Sequence, residues 1–458
     1  MATDRQNLFW TVAHIGLGFA CTLTPFAIII WFYVILFANF FKANSLLQKK
    51  KPAFFFMLFS YLISFELLDR MAKTSPYIPY EVGKYFLVLS GILGLLAVGI
   101  RQPRGIWMAL LVTPALFYDF SGQRTYFDII NNYLAPLAVG LGIAYASMLS
   151  ITNIQLNQIL KLIWWACLSS LFFTYVKTPD FETITFTLKA QSATTAGHSS
   201  NQVSTVLGLG MFLSFYSILK KLNFSGNRIF DMVILLGFTF QGLISFSRGG
   251  MIVGAICIFI LIFLRDSNKL TNNKVRTNKP LFIGIIALLS LFGVFEVANG
   301  ITGGNLLLRY QGETAGTLSG SKEVTADHFV TGRLSILEQD IDLWIDNFIT
   351  GVGVGSSRFL RNLERIGVSP HVELSRLLAE HGLLGFIYSC YFFILIPLQI
   401  YQFNQKNIQR AVMMAILTIS ILTTFHAAMR TFVTPLFMIL ASLKIKSDLK
   451  TNKLIPNI

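Results

Sequence analysis

Apolar residues fill long blocks of the chain, and short polar stretches separate one block from the next. Each block runs for roughly 15 to 25 residues, which suits helices that cross a membrane, whereas barrel strands alternate in segments of about 10. We predict twelve to fourteen transmembrane helices, because the first and last pairs of blocks are short for full spans. The predicted spans are 9–24, 25–41, 53–69, 85–100, 106–120, 127–149, 161–177, 202–219, 229–245, 251–265, 281–298, 383–401, 411–428 and 431–443.

Composition supports this class of protein. Hydrophobic residues make up 54% of the 458 residues and charged residues only 13%, whereas a soluble domain carries roughly 25% charged residues. These values exclude a soluble enzyme of ordinary composition, a disordered chain and a disulfide scaffold. The predicted fold class is therefore an all-α polytopic membrane protein with one long helical loop on the periplasmic side.

The net charge of +15 reflects how the chain crosses the membrane. Lysines and arginines concentrate in alternate loops, and the positive-inside rule predicts that these loops and both termini are cytoplasmic. Residues 299–382 form a long polar stretch with a net charge of −3, against +18 for the rest. We therefore expect a multi-pass membrane protein without a nucleic-acid partner, and the resemblance described below implies that the membrane is the cell inner membrane. The predicted segments are membrane helices over 1–298, a periplasmic loop over 299–382, and membrane helices with a cytoplasmic tail over 383–458.

The periplasmic loop contains predicted helices of its own. Apolar residues recur every three or four positions from Leu334 to Phe348, and this spacing predicts an amphipathic helix over 334–349. We expect its apolar stripe to pack on the membrane helices or to lie at the membrane interface. The glycines of GVGVG, residues 351–355, then predict a tight turn, because no strand precedes them as a dinucleotide-binding loop requires.

A second loop helix is predicted from Ser369 to His381. Ser369 suits its N-cap, Pro370 suits its first position, and Gly382 suits its end. This interpretation places His371 in the first helical turn, where the positive end of the helix dipole keeps an imidazole neutral. A neutral imidazole near pH 7 can accept a proton from a hydroxyl. On spacing alone, however, a surface histidine without a role is the simpler interpretation.

Arg248 is the most unusual charge in the sequence. It lies in the turn SFSRGG between two predicted spans, with almost no polar loop around it. A cation at the edge of the bilayer is costly unless an anion or a cavity compensates, so Arg248 is a candidate functional residue. The alternatives are contact with lipid headgroups or an internal ion pair. The candidate partners for such a pair are Asp119, Asp128 and Glu66.

Further arginines, including Arg309 and Arg333, lie in the periplasmic loop. A guanidinium fork binds phosphate oxygens in a bidentate way, so several arginines in one cavity would suit a diphosphate. Arg376 has predicted ion-pair partners one helical turn away in Glu373 and Glu380. The histidines of the loop are too far apart for metal-ligand spacing, so we expect a site with neither metal nor cofactor.

Taken together, these residues resemble the O-antigen ligase and O-antigen polymerase superfamily of bacterial polysaccharide assembly. The ordered set of motifs covers about 140 residues of the second half of the chain. The matching motifs are the Ser-Arg-Gly turn at 247–249, Gly332-Arg333, the helix around Trp344, GVGVGS at 351–356 and PHVELSRLLAEHGLLG at 370–385.

The resemblance implies a glycosyltransferase with a lipid-linked donor. Such an enzyme takes a glycan from undecaprenyl diphosphate on the periplasmic side and passes it, with inversion and without a metal, to a hydroxyl acceptor such as lipid A core. His371 matches the loop histidine that is thought to activate this hydroxyl, which makes residues 299–382 the expected catalytic loop. Arg248 and Arg333 match arginines that would hold the diphosphate, and Arg309 is a third candidate for that role.

Other residues match the family less closely. Asn201, in the segment GHSSNQ, resembles the end of a G-x-x-x-N element, and Lys189 lies where the family often has a basic residue. We regard Asn201, Lys189 and Arg376 as candidate substrate contacts. Val372 departs from the asparagine that usually follows the loop histidine, so no role is expected for that neighbour.

Two alternative functions remain open from the sequence. A polymerase would pass the glycan to the next lipid-linked repeat unit, and Arg309 and Gly320 show the ten-residue separation associated with some polymerases. A polysaccharide transporter or flippase is less favoured, because transporters usually contain internal repeats and none is evident here. We favour the ligase interpretation.

Overall fold

The computed structural model describes residues 2–48, 52–99, 103–264, 279–321, 323, 333–362, 366–368, 371–403 and 407–446. Within these ranges the regular structure is almost entirely helical. The predicted all-α class is confirmed, and the long apolar helices are those of a membrane protein. In chain order, the α-helices are α1 (Ala2–Leu23), α2 (Phe26–Gln48), α3 (Pro52–Ile63), α4 (Glu66–Met71), α5 (Val82–Val98), α6 (Arg104–Leu111), α7 (Tyr126–Ala146), α8 (Asn153–Lys177), α9 (Ser200–Lys220), α10 (Arg228–Ile244), α11 (Arg248–Leu264), α12 (Lys279–Ile301), α13 (Asn305–Tyr310), α14 (Ala315–Leu318), α15 (Arg333–Asp346), α16 (Ser357–Leu360), α17 (Glu373–Cys390), α18 (Ile396–Phe403), α19 (Asn407–Thr423) and α20 (Val433–Ala441).

Each predicted apolar block falls on helical structure. By length and composition, four helical stretches of the described ranges can each cross a membrane, and six shorter apolar helices accompany them. The total of twelve to fourteen spans stays a prediction. The four long stretches are Tyr126–Ala146, Asn153–Lys177, Ser200–Lys220 and Glu373–Gln402.

Helix α9 lies among α8, α10 and α11 and is buried over most of its length. Glycines allow α9 and α11 to approach backbone to backbone, because a Cβ added at Gly208 would lie 2.1 Å from the carbonyl oxygen of Gly250. A Cβ added at Gly250 would in turn lie 2.2 Å from the backbone of Ser204. Small residues at such a crossing bring membrane helices close together. This close approach holds the Ser-Arg-Gly turn against the N-terminal part of α9.

Two short strands join distant parts of the chain at one end of the helices. Strand β1 (Ser150–Thr152) pairs in parallel with β2 (Lys444–Lys446), and β2 lies in the tail predicted to be cytoplasmic. Helix α8 begins next to β1, so the loop that follows its C-terminus lies at the opposite end. At that end, loops predicted to be periplasmic contact one another, since the Asn305 side chain donates to the Phe186 carbonyl at 3.2 Å. We call this the loop end.

Helix α15 corresponds to the predicted amphipathic helix over 334–349, but a different face is buried. The buried residues are Ile336 and Asp340, whereas Ile345 and Phe348 of the predicted stripe remain exposed. Asp340 is buried because it pairs with Arg361 at 2.7 Å and accepts a hydrogen bond from a serine of α17. Hydrophobic spacing could not reveal this, since an ion pair determines which face turns inward.

The GVGVG segment is a tight turn between α15 and α16, as predicted. The amide of Val352 donates to the carbonyl of Ala379 at 2.9 Å, and Gly353 donates to Glu380 at 3.1 Å. Gly353 has a φ of +96°, and a Cβ there would lie 2.2 Å from the Tyr118 carbonyl oxygen. The glycines therefore allow the turn to pack closely between α17 and the segment before α7.

The helix predicted from Ser369 begins later, at Glu373, so His371 precedes it and the predicted position in its first turn is wrong. The backbone here bonds to another part of the chain, because the amide of Glu373 donates to Thr424 at 2.9 Å. The carbonyl of His371 likewise accepts from Ala428 at 3.2 Å. Ser369 and Pro370, like Gly332, lie outside the described residues.

The predicted end of this helix at Gly382 coincides with a break in α17. Gly382 has a φ of +59° and interrupts the helical geometry, but helical structure resumes and continues through α18. A Cβ at Gly382 would lie 2.5 Å from the amide nitrogen of Gly351, so the interruption fits the glycine turn. The two helical stretches of α17 therefore meet at the residue predicted as the boundary, and the second stretch continues into a membrane segment.

Candidate functional site

The Ser-Arg-Gly turn is fixed by hydrogen bonds to α9. The hydroxyl of Ser247 donates to the Asn201 side chain at 2.8 Å and accepts from Ser204 at 2.9 Å. Gly249 lies against an imidazole, because a Cβ there would lie 2.4 Å from the His426 ring. These contacts place Arg248 at the start of α11, at the loop end of the protein.

Arg248, Arg309 and Arg333 lie close enough to affect one another, and we call them the arginine cluster. The guanidinium of Arg248 donates to the Arg309 carbonyl at 2.8 Å. Burial and the positive charges of Arg248 and Arg333 lower the pKa of Arg309 to about 10. Burial and the charge of Arg248 lower the pKa of Arg333 to about 10 as well. The structure therefore brings together the three arginines that the sequence assigned to the donor diphosphate.

The acids considered as partners for Arg248 contact other arginines. Asp119 lies 3.7 Å from Arg124, Asp128 lies 2.8 Å from Arg358, and Glu66 lies 2.8 Å from Arg70. Within the described ranges, no carboxylate lies within 4.0 Å of the guanidinium of either Arg309 or Arg333. Neighbouring buried cations repel one another, so this part of the site favours a bound anion.

His371 lies beside this cluster. Burial lowers the pKa of its imidazole to about 3, and the positive charges of Arg430 and Arg333 act in the same direction. The Nδ1 atom of His371 is buried without a hydrogen-bond partner. The ring is therefore neutral near pH 7, as expected, although the cause is burial among arginines rather than a helix dipole. A neutral imidazole next to several cations can accept a proton without a metal.

The remaining predicted site residues differ in their surroundings. Asn201 lies beside Arg248 through its bond with Ser247, whereas Lys189 is exposed in the loop between α8 and α9. Arg376 is buried and pairs with Glu373 and with Glu380, the latter at 2.9 Å, so its predicted local ion pairs are confirmed. It also donates to the carbonyl of Asn132 at 2.9 Å, and so ties α17 to α7.

Two arginines of the site escaped the sequence analysis. The buried guanidinium of Arg70 donates to Gln202 at 2.9 Å and to the carbonyl of Arg430 at 2.8 Å. Arg430 lies in the turn between α19 and α20, close enough to affect the pKa of His371. A signal for Arg70 was present, because Glu66 and Arg70 show helical ion-pair spacing inside an apolar block.

A cavity of about 170 Å³ lies at the loop end, and Gln202 and Arg430 form part of its wall. We call it the polar cavity, because charged and amide side chains make up most of its lining. Its lining residues are Arg70, Tyr80, Glu81, Phe127, Asp128, Asn131, Asn132, Gln202, Gly355, Arg358, Glu380 and Arg430.

These features define a helical membrane protein with a buried cationic site and a neutral histidine at one end. Residues 232–390 match the family model described as O-antigen ligase, and this segment contains the arginine cluster and His371. The resemblance of this part of the chain to the O-antigen ligase and polymerase superfamily is thereby confirmed. The match supports an enzyme role in glycan transfer with lipid-linked substrates. No curated protein and no solved structure matches the chain.

Proposed function

We propose that the protein transfers a glycan from undecaprenyl diphosphate to a hydroxyl of lipid A core at the periplasmic face of the inner membrane. The observation that carries this proposal is the arginine cluster beside His371, within the segment that matches the O-antigen ligase family. The cluster supplies the charge that a diphosphate needs, and the histidine supplies a proton acceptor.

The arginine cluster holds the donor and stabilises its leaving group. As the bond between the anomeric carbon and the phosphate oxygen breaks, that oxygen gains negative charge, and fixed guanidinium groups nearby lower the energy of this state. Arg309 and Arg333 are suited to this step, because they are half-buried next to other cations and no described carboxylate competes for them. Undecaprenyl diphosphate is the leaving group and is released as a product.

His371 deprotonates the acceptor. Its neutral imidazole takes the hydroxyl proton while the oxygen forms a bond to the anomeric carbon, so one carbon–oxygen bond forms as another breaks. A single displacement of this kind inverts the configuration at that carbon. The donor's negative charge offsets Arg333 and Arg430, so donor binding raises the pKa of His371 from its low value and strengthens the base.

This mechanism predicts an unusual pH dependence. In the free protein His371 is deprotonated well below pH 5, because its pKa lies near 3. An ordinary histidine has a pKa of about 6.5. We therefore expect kcat/KM for the donor, which reports the free enzyme, to show no fall centred on that pH. The acidic loss in kcat should occur at higher pH than that in kcat/KM, since the bound diphosphate raises the pKa. Rates measured from pH 4.5 to 8 at one ionic strength test this, and an acidic loss of kcat/KM with a midpoint inside this range would contradict it.

The proposed function can be tested with purified protein in lipid vesicles. The donor is undecaprenyl-diphosphate-linked glycan, and the acceptor is lipopolysaccharide that lacks O-antigen. We expect a product of higher mass on the acceptor, with the same yield when EDTA is present. Parallel samples without lipopolysaccharide test the polymerase alternative, which would lengthen the lipid-linked glycan itself. Movement of intact donor across the vesicle without any transfer would instead indicate a transporter and would disprove the proposal.

A further inference from the structure

The polar cavity differs from the arginine cluster in its charge. Its wall contains three arginines and three carboxylates. Arg70 lies 3.0 Å from Glu81, and Arg358 lies 2.8 Å from Asp128. Glu380, the third carboxylate, pairs with an arginine of its own helix at 2.9 Å. Since these charges are largely balanced within the protein, the cavity favours an uncharged polar ligand over a phosphate.

Two residues of the cavity wall each have a buried polar atom that makes no hydrogen bond within the protein. The Oδ1 atom of Asn131 and the Nε atom of Arg358 are buried without a hydrogen-bond partner. One is an acceptor and the other is a donor, which is the pair of functions that a sugar hydroxyl satisfies. Buried groups of this kind are costly when unpaired, so a ligand that bonds to them gains affinity.

Two aromatic rings line the same cavity. Tyr80 and Phe127 are 40% and 55% exposed, and their ring centroids lie 6.0 Å apart. Their faces offer an apolar surface next to the polar groups, as a sugar ring with hydroxyl edges and C–H faces requires. The volume of about 170 Å³ is smaller than the roughly 300–1,000 Å³ of pockets for drug-sized molecules, so a single ring fits best.

The position of the cavity relates it to the base. Arg430 belongs to its wall, and in the same turn the amide of Ala428 donates to the carbonyl of His371 at 3.2 Å. Arg333, another cation close to His371, belongs to the arginine cluster. His371 therefore lies near both the proposed diphosphate site and a wall residue of the polar cavity.

We propose that the polar cavity binds one uncharged sugar ring of the acceptor glycan and directs its hydroxyl toward His371. This inference rests on the proposed function, since it assumes that His371 deprotonates an acceptor. The choice of the acceptor rather than the donor follows from charge, because the arginine cluster already provides the place for the diphosphate end of the donor.

Substitutions in the cavity test this inference. We expect Phe127→Ala and Asn131→Ala each to raise the KM for the acceptor by about three- to tenfold, the range expected for one aromatic or hydrogen-bonding contact. The KM for the donor should stay within twofold of the wild-type value. Tyr126→Ala is the matched control, because Tyr126 is 78% exposed on the same helical turn and does not line the cavity. Its acceptor KM should not change.

A binding measurement separates failure of the inference from failure of the proposed function. Saturation-transfer NMR with delipidated core oligosaccharide needs no donor and no turnover. We expect equal signals for the wild type and for Tyr126→Ala, and a weaker signal at the same oligosaccharide concentration for the two cavity variants. If wild-type protein shows no glycan transfer at all, the proposed function fails, and this binding pattern still decides the inference. An unchanged acceptor KM, an effect confined to the donor KM, or equal binding by all variants would overturn the inference. Thermal unfolding in detergent checks that each variant is folded.

Discussion

Replacement of His371 by alanine is expected to slow glycan transfer by about 10²- to 10⁴-fold, the usual contribution of a general base. The imidazole lies beside two arginines and has no hydrogen-bond partner for its Nδ1 atom, so its loss removes the proton acceptor but breaks no hydrogen bond of that atom. The KM for the donor should change little, because the arginine cluster remains. Transfer rates and donor KM, measured with the same vesicles, separate the chemical step from binding.

Two further variants make this result specific. His371→Asn keeps a polar side chain but cannot act as a base near pH 7, so it should be as slow as His371→Ala. His198→Ala, in the loop before α9, removes another partly buried histidine at the loop end and should lose less than tenfold. Full activity of both His371 variants would show that another group deprotonates the acceptor, whereas a loss of folded protein would indicate a structural role.

The second large effect is expected from Arg333. Its alanine variant should lower kcat/KM by about 10²- to 10³-fold, as observed when one group that stabilises developing charge is removed. Arg333→Lys should recover only part of this loss, because lysine keeps the charge but not the bidentate fork. The affinity for undecaprenyl diphosphate alone should fall from the wild type to Arg333→Lys and further to Arg333→Ala. Isothermal titration calorimetry with the protein in detergent measures this affinity.

Stability distinguishes a binding arginine from a structural one. Arg333 is buried near Arg248 and Arg309 without a described carboxylate partner, so Arg333→Ala should not lower the unfolding temperature. Arg361→Ala is the matched control, because it leaves Asp340 buried without its partner. It should lower the free energy of unfolding by about 3–5 kcal/mol. The reverse pattern, with Arg333→Ala unstable and fully active per folded molecule, would contradict the proposed role.

The helices were largely predictable from the sequence, because apolar blocks of sufficient length have few alternatives in a membrane. The details that failed depend on contacts between distant residues. The start of α17 moved from Ser369 to Glu373 because the backbone there bonds to Thr424 and Ala428. The break at Gly382 was predictable from the glycine itself, but its fit against the turn at Gly351 was not.

The candidate site was predictable only in part. Arg248, Arg309, Arg333 and His371 could be named because their motifs resemble those of a known family. Arg430 gave no such signal, since it lies far along the chain and reaches His371 only through the packing of the last two described helices. The polar cavity is likewise built from single residues of many segments, so no spacing along the sequence could reveal it.

Helix α20 is buried along its whole length and packs against α7 and α19, and the turn before it carries Arg430. Arg70, which also lines the cavity, lies hundreds of residues earlier in the chain and is therefore synthesised long before Arg430. The wall of the polar cavity and the surroundings of His371 are therefore complete only after α20 has been synthesised and packed.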